Sequence, residues 1–158
     1  MIRTEKRLRV CCTLLVMNLA FIWGNSMLPG EVSGAISEAV KAILIPIWEL
    51  LFPGSGAPSG GGGLLRKVAH FSEFCALGMC LTWLMGMLGK PAVFSAVCGF
   101  AAACVDETIQ SFVPDRNPSP MDVAIDTSGV ITGILLLLLG HYVIRKKKTK
   151  QYMEENES

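Results

Sequence analysis

Long apolar runs, separated by short polar segments, dominate the pattern along the chain. Four of these runs are each about 20 residues long, which is the length of helix that crosses a bilayer core of roughly 30 Å. They cover residues 8–28, 67–88, 91–112 and 121–144. Helices are the expected form, because lipid cannot satisfy open backbone groups and because the runs lack the alternation of an outer-membrane barrel. The pattern therefore predicts an all-α, polytopic integral membrane protein with four transmembrane helices.

A fifth helix is predicted between the first two spans. Over residues 31–52, apolar residues recur at spacings of three and four, while three glutamates and one lysine interrupt the pattern. The stretch carries too many charges to span, so we expect an interfacial helix on the outer side, although a lid over the bundle fits the same pattern. Residues 53–63, PGSGAPSGGGG, have the composition of a flexible linker and lack the Gly-Lys-Ser/Thr ending of a phosphate loop.

Basic residues are concentrated at the two ends of the chain. Four of the 14 Lys and Arg residues lie within the first nine residues, and five lie in the tail formed by residues 145–158. The positive-inside rule puts these ends in the cytoplasm, and two ends on one side agree with four crossings. The segment WGNSMLPG lacks a small-x-small cleavage site, so the first run is expected to be an uncleaved helix. The predicted topology is N-in/C-in, with residues 29–66 and 113–120 outside.

Overall composition agrees with a membrane protein and narrows its chemistry. Hydrophobic residues make up 51% of the chain and charged residues 17%, against about a quarter charged in soluble domains. The net charge of +1 gives no reason to expect a nucleic-acid partner. The six cysteines lie in apolar windows without metal-site spacing, and we interpret them as small buried hydrophobes.

Polar and ionisable residues interrupt three of the predicted spans at one predicted depth. An acid facing hydrocarbon costs about 2.5–3.5 kcal/mol, so these side chains are expected to turn inward and form one wet cavity near the outer surface. Gly129 and Gly133, four residues apart, would let a neighbouring helix approach closely beneath that cavity. The predicted cluster comprises Lys67, His70, Glu73, Asp106, Glu107, Gln110, Arg116, Asp122 and Asp126.

Several of these residues also have ordinary structural explanations. Lys67 can anchor its helix at the headgroups, His70 can be a hydrogen-bonded interior side chain, and Asp115 can be a solvated turn residue. Two adjacent ionisable residues inside a span, Asp106 and Glu107, are harder to explain structurally, because buried charge in a membrane usually marks function. We therefore interpret the cluster as a functional site.

Two segments around this cluster resemble a known family. RKVAHFSEFCALG (66–78) contains a Lys-x-x-His-x-x-Glu spacing. VDETIQSFVPDRNPSPMDVAIDTSG (105–129) contains Asp-Glu-x-x-Gln, a short loop with Arg, and Asp-x-x-x-Asp-x-x-Gly. Together with the serine-containing segment GNSMLPGEVSGAISEAV, these spacings resemble the VanZ-like family over about residues 10–140. Many members of that family have Asn at the position of Asp126.

The resemblance implies a multi-pass protein of the bacterial cytoplasmic membrane, with the lipid bilayer as its first partner. The family takes its name from a protein linked to low-level resistance to teicoplanin, a lipid-bearing glycopeptide. A lipid-linked or glycopeptide ligand is therefore the second partner that the resemblance implies. Because the family's molecular mechanism is not established, the resemblance supplies no reaction.

Charge in the predicted cluster is unbalanced. Five acids face two fixed bases and one histidine, so some acids must hold a proton or share a cation. In the first function, the outward-facing cavity binds or remodels a lipid headgroup, a cell-envelope precursor or a glycopeptide. Arg116 would then hold a phosphate or carboxylate through a forked contact.

Two other functions use the same residues. A membrane-embedded enzyme acting on an outer-leaflet, lipid-linked substrate would take His70, Asp106 and Glu107 as catalytic candidates. Its Mg²⁺ or Mn²⁺ would have Asp106, Asp122 and Asp126 as candidate ligands, and no other cofactor is expected. A proton or cation pathway is disfavoured, because the cytoplasmic halves of the spans, such as LTWLMGML and ILLLLLG, contain no carboxylate.

Overall fold

The protein is an all-helical bundle. The computed structural model describes residues 2–53 and 62–156, and every regular element in these ranges is a helix. The predicted all-α class is confirmed. The predicted linker, 53–63, lies largely outside the described residues. The helices are α1 (Ile2–Ser26), α2 (Gly30–Leu51), α3 (Gly62–Met87), α4 (Val93–Gln110) and α5 (Pro120–Asn156).

Four of these helices are long and apolar enough to cross a membrane, which confirms the predicted number of spans. The candidate spans are Thr4–Ser26, Gly63–Met87, Val93–Gln110 and Pro120–Met153. Many of the large apolar side chains on α1, α4 and α5 are exposed, as expected for helices that face lipid rather than water. The predicted N-in/C-in orientation remains a prediction. The last span belongs to α5, which continues without interruption for 37 residues.

Helix α3 occupies the centre of the bundle. It contacts each of the other four helices, and its most extensive contact is with α5. The side chains of Phe74 and Leu77 on α3 are fully buried, together with Ile22 of α1 and Val130 of α5. This narrow apolar core fixes how the helices are rotated about their axes, and so determines which polar side chains face inward.

Small residues let α5 approach the backbone of α3 closely. A Cβ atom at Gly129 would collide with the carbonyl oxygen of Phe71, and one at Gly133 would collide with the carbonyl group of Cys75. The close approach predicted from the G-x-x-x-G spacing is therefore present. It holds the first turns of α5 against the first turns of α3, where the ionisable residues of both helices lie.

Helix α2 packs chiefly on α3 and is joined to the α4–α5 loop at its first residue. The Gly30 N–H donates to the carbonyl oxygen of Pro114 at 3.2 Å, and a Cβ at Gly30 would collide with the backbone of Asp115. Asp115 itself has a φ of 58°, in the left-handed region. This agrees with its interpretation as a turn residue, and the contact anchors one end of α2.

Candidate functional site

The predicted site residues meet at one end of the bundle. That end, called here the polar end, is formed by the last turn of α1, the first turns of α3 and α5, the last turns of α4 and the loop between α4 and α5. Antiparallel connections bring these segments together, because α1 and α4 run towards the polar end while α3 and α5 run away from it. All nine residues predicted as a cluster lie there.

Asp106 lies at the centre of the polar end and is fully buried. The Ser26 hydroxyl donates to one of its carboxylate oxygens at 2.6 Å, and the Gln110 amide donates to the other at 2.8 Å. The same Gln110 amide also lies 3.4 Å from the Ser26 hydroxyl oxygen. A buried carboxylate requires such donors because it has lost its hydration. These three side chains therefore form a closed hydrogen-bonded unit that links α1 to α4.

His70 faces two carboxylates from different helices. Its Nδ1 atom lies 3.8 Å from Oδ2 of Asp106 and 4.0 Å from Oδ1 of Asp126. Both distances exceed a hydrogen bond, and Nδ1 is buried without a partner among residues 2–53 and 62–156. One ligand atom from each of the three residues lies within 4.8 Å of the others. We call His70, Asp106 and Asp126 the triad; their ligand atoms lie close together, with no direct hydrogen bond between the imidazole and either carboxylate.

Lys67 and Asp122 form an ion pair at the rim of the polar end. Their charged atoms are 3.7 Å apart, and the lysine side chain is 46% exposed. Asp122, which the sequence suggested as a metal-ligand candidate beside Asp106 and Asp126, thus faces the lysine instead of joining the triad. Asp122 is only 18% exposed, but water reaches the lysine and screens the pair, so its position suits an entrance better than a core.

Glu107 lies beside Asp106 but faces a different segment. One of its carboxylate oxygens accepts a hydrogen bond from the Ser119 N–H just before α5 begins. The other oxygen is buried and has no hydrogen-bond partner in the described ranges. Glu107 therefore fixes the end of the α4–α5 loop while retaining one oxygen that can accept a further donor.

Arg116 comes from the α4–α5 loop and inserts into the polar end, where it is 7% exposed. Its Nε donates to the Leu28 carbonyl at 3.2 Å, and its Nη2 donates to the Asn25 carbonyl at 3.0 Å. Asn25 lies in the last turn of α1 and Leu28 in the turn that follows, so Arg116 binds the carbonyls at the exit of this helix. Burial lowers the pKa of Arg116, yet a guanidinium stays protonated in proteins. Its Nη1 is buried without a hydrogen-bond partner in the described structure.

A cavity of about 170 Å³ opens between α2 and α3 beside these residues. Arg116 and His70 line it, as does Glu73, whose Oε1 accepts a hydrogen bond from the Asn25 amide at 3.0 Å. The second Glu73 oxygen is buried and unpartnered within the ranges that the structure describes. We call this space the polar cavity. It collects donors and acceptors from α1, α3 and the α4–α5 loop.

Two residues of the site were missed by sequence reasoning, Arg66 and Asn25. Arg66 lines the polar cavity together with His70 and Glu73, and the spacing of these three residues along α3 was a signal for it. The signal for Asn25 was a second asparagine, Asn18, seven residues earlier in the same apolar helix. The Asn18 amide donates to the Glu73 backbone carbonyl, and the Asn25 amide donates to the Glu73 carboxylate. Ser26 appeared in the sequence only as part of the family resemblance, and the structure gives it a direct contact with Asp106.

Comparison with known proteins identifies the family. The VanZ/LLP1 family model matches residues 10–141, which is well over half of the chain and includes the whole polar end. No curated protein and no solved structure matches the chain significantly. Four apolar helices and this match make the protein a multi-pass membrane protein. The chain belongs to the VanZ/LLP1 family.

Proposed function

We propose that the polar end faces the outside of the bacterial cytoplasmic membrane and binds the headgroup of an amphiphile. The ligand classes are a membrane lipid, a lipid-linked cell-envelope precursor and a lipid-bearing glycopeptide such as teicoplanin. Binding or remodelling of such a ligand would then produce low-level resistance to the drug. The lipid bilayer supplies or presents the ligand, and the polar cavity receives its polar part.

One observation carries this proposal: three residues that line a single cavity each have a buried polar atom without a partner. Nη1 of Arg116, Oε2 of Glu73 and Nδ1 of His70 all belong to residues that line the polar cavity, and none has a hydrogen-bond partner in the described residues. Leaving such a group unsatisfied costs about 1–3 kcal/mol. A bundle selected for stability alone would pair these atoms with each other, whereas a headgroup that carries both donors and acceptors can satisfy them together.

Lipid retention tests this function. We expect the purified protein to retain a specific amphiphile, identified by mass spectrometry, and Arg116→Ala or Asp106→Asn to abolish the retention. Lys146→Ala, an exposed change at the far end of α5, is the matched control and should retain as much as the unmodified protein. Retention that is equal in all four proteins would contradict the proposal, because lipid would then be held by the apolar surface alone.

A cellular assay tests the link to teicoplanin. Cells that express the protein should survive higher teicoplanin concentrations, and Arg116→Ala, Asp106→Asn and Glu107→Gln should each remove the difference while the protein remains in the membrane. Full protection by all three variants would show that the polar end does not produce the phenotype.

A second function, metal-dependent catalysis on an outer-leaflet, lipid-linked substrate, is favoured by the spacing of the triad. One imidazole nitrogen and two carboxylate oxygens within 4.8 Å suit Mg²⁺ or Mn²⁺. Glu107 would then be the candidate general base, since His70 would bind the metal. Mn²⁺ titration followed by electron paramagnetic resonance should give one bound ion that Asp126→Asn removes and Asp122→Asn preserves. Equal binding by both variants would exclude this site.

A further inference from the structure

An apolar groove runs along α2 and α3 next to the polar cavity. Its volume is about 290 Å³, and both helices contribute branched or aromatic side chains to its walls. The groove is lined mainly by Leu44, Ile47, Trp48, Leu51, Leu64 and Val68. Leu65 lines both the groove and the polar cavity, so the two spaces meet at this residue. Together they form a site with one polar and one apolar compartment.

Two guanidinium groups face the polar compartment without a carboxylate bound to either. Arg66 makes no ion pair or hydrogen bond among the described residues, and Arg116 donates only to backbone carbonyls. Both residues line the polar cavity, so two positive charges border the same compartment. Holding like charges together is unfavourable, and a bound anion between them would relieve the repulsion.

The negative charge in the same compartment lies deeper. Glu73 follows Arg66 by seven residues on α3, which corresponds to roughly 10 Å along the helix axis. His70 lies between them on the same face. Along α3 the order is thus a cation at the rim, a titratable ring in the middle and a carboxylate below. A phosphate fits at the rim, while hydroxyl or amine donors of a headgroup fit towards Glu73.

We propose, building on the function proposed above, that the ligand is a phosphate-bearing lipid held by α2 and α3. Its phosphate lies between Arg66 and Arg116, and one acyl chain lies in the apolar groove against Trp48. Guanidinium groups bind phosphate oxygens through paired N–H donors, and two of them match a dianionic phosphate monoester. Such a lipid fills both compartments, whereas free phosphate fills only the polar one and an uncharged lipid only the apolar one. We therefore expect both to bind more weakly than a phosphate-bearing lipid.

Quenching of Trp48 fluorescence tests the proposal directly. A variant with Trp23→Phe and Trp83→Phe keeps Trp48 as its single tryptophan, and lipids with brominated acyl chains quench tryptophan on contact. In detergent, brominated phosphatidic acid should quench at concentrations at least about tenfold lower than brominated phosphatidylcholine or diacylglycerol, as expected for hydrogen bonds to a charged group. Glycerol phosphate, which has the head without the chain, should compete only at far higher concentration.

Variants that remove one positive charge test whether Arg66 causes the preference for a phosphate-bearing lipid. Arg66→Gln should raise the half-quenching concentration of phosphatidic acid about tenfold and leave that of diacylglycerol unchanged. Arg145→Gln removes one positive charge at the far end of α5 and should change neither. Arg66 is the better test position, because Arg116 also donates to the backbone at the end of α1 and its loss removes more than a charge.

The outcomes separate this inference from the function it builds on. Saturable quenching without a phosphate preference, or a preference unaffected by Arg66→Gln, would overturn the phosphate-lipid site while an amphiphile-binding function stands. Absence of saturable quenching by any brominated lipid would overturn the lipid site at Trp48, whereas the amphiphile-binding function would fail only if the purified protein retained no specific amphiphile. Competition by glycerol phosphate at the same concentration as phosphatidic acid would show a site for a soluble phosphate instead.

Discussion

Replacing Gly133 with alanine tests the close contact between α3 and α5. A Cβ at this position would collide with the Cys75 carbonyl group, and restoring an ordinary contact of about 3.5 Å requires the helices to separate locally by on the order of 1 Å. Overpacking of this kind costs about 1–3 kcal/mol. Alanine also gains about 0.5–1 kcal/mol over glycine inside a helix. Gly140 lies on the same helix, and a Cβ there would meet nothing within 4 Å. Gly140→Ala therefore receives the gain without the collision.

The difference in the free energy of unfolding between the two variants isolates the cost of the collision, which is about 1–3 kcal/mol. For a chain of this length each kcal/mol corresponds to about 2–4 °C, so Gly133→Ala should unfold roughly 2–12 °C below Gly140→Ala. Thermal unfolding in one detergent, followed by circular dichroism, measures this difference. Equal midpoints would refute the reasoning, because α5 could not then lie against α3 at Gly133. The same separation would move Asp126 away from His70, so Gly133→Ala should also weaken ligand retention.

Three further substitutions test other contacts by the same unfolding measurement. Ser26→Ala should destabilise the protein by about 1–3 kcal/mol, because Asp106 loses a buried donor, and Ser26→Thr should restore most of the loss. Asp115→Val should cost about 1–2 kcal/mol at its left-handed φ, whereas a loss of similar size in Asp115→Gly would contradict that explanation. Lys67→Gln should change stability by less than about 1 kcal/mol, since the lysine is 46% exposed and water screens its pair with Asp122, and a larger loss would show that the pair is structural.

Much of this fold follows from simple regularities in the sequence. Apolar runs of about 20 residues identified the four spans, and the helical period put His70 and Glu73 on one face of α3. The spacing of Gly129 and Gly133 indicated a close helix contact, which the structure has. These features are local, because each depends on one helix and on the lipid or helix beside it.

The pairing of charges could not be derived in the same way. Whether Asp122 or Asp126 approaches His70 depends on the rotation of α5, which is fixed by the buried contacts of Val130 and the two glycines. Arg66 was missed because its neighbour Lys67 fitted the expected motif, and only the position of α2 shows that Arg66 faces a cavity. The contribution of α1 to the site could not be predicted either, because it depends on the last turn of α1 lying against Asp106.

The unbroken length of α5 has a consequence for the depth of the site. Its 37 residues extend for about 55 Å, well beyond a hydrocarbon core of roughly 30 Å. From Asp126 to Arg145 the helix rises about 28 Å, close to the thickness of that core. When the basic tail rests at one surface of the bilayer, this rigid rod sets Asp126 at the opposite boundary. A thicker membrane would draw the whole polar end towards hydrocarbon, whereas a thinner one would lift it towards water, so bilayer thickness would set the depth at which the polar end lies.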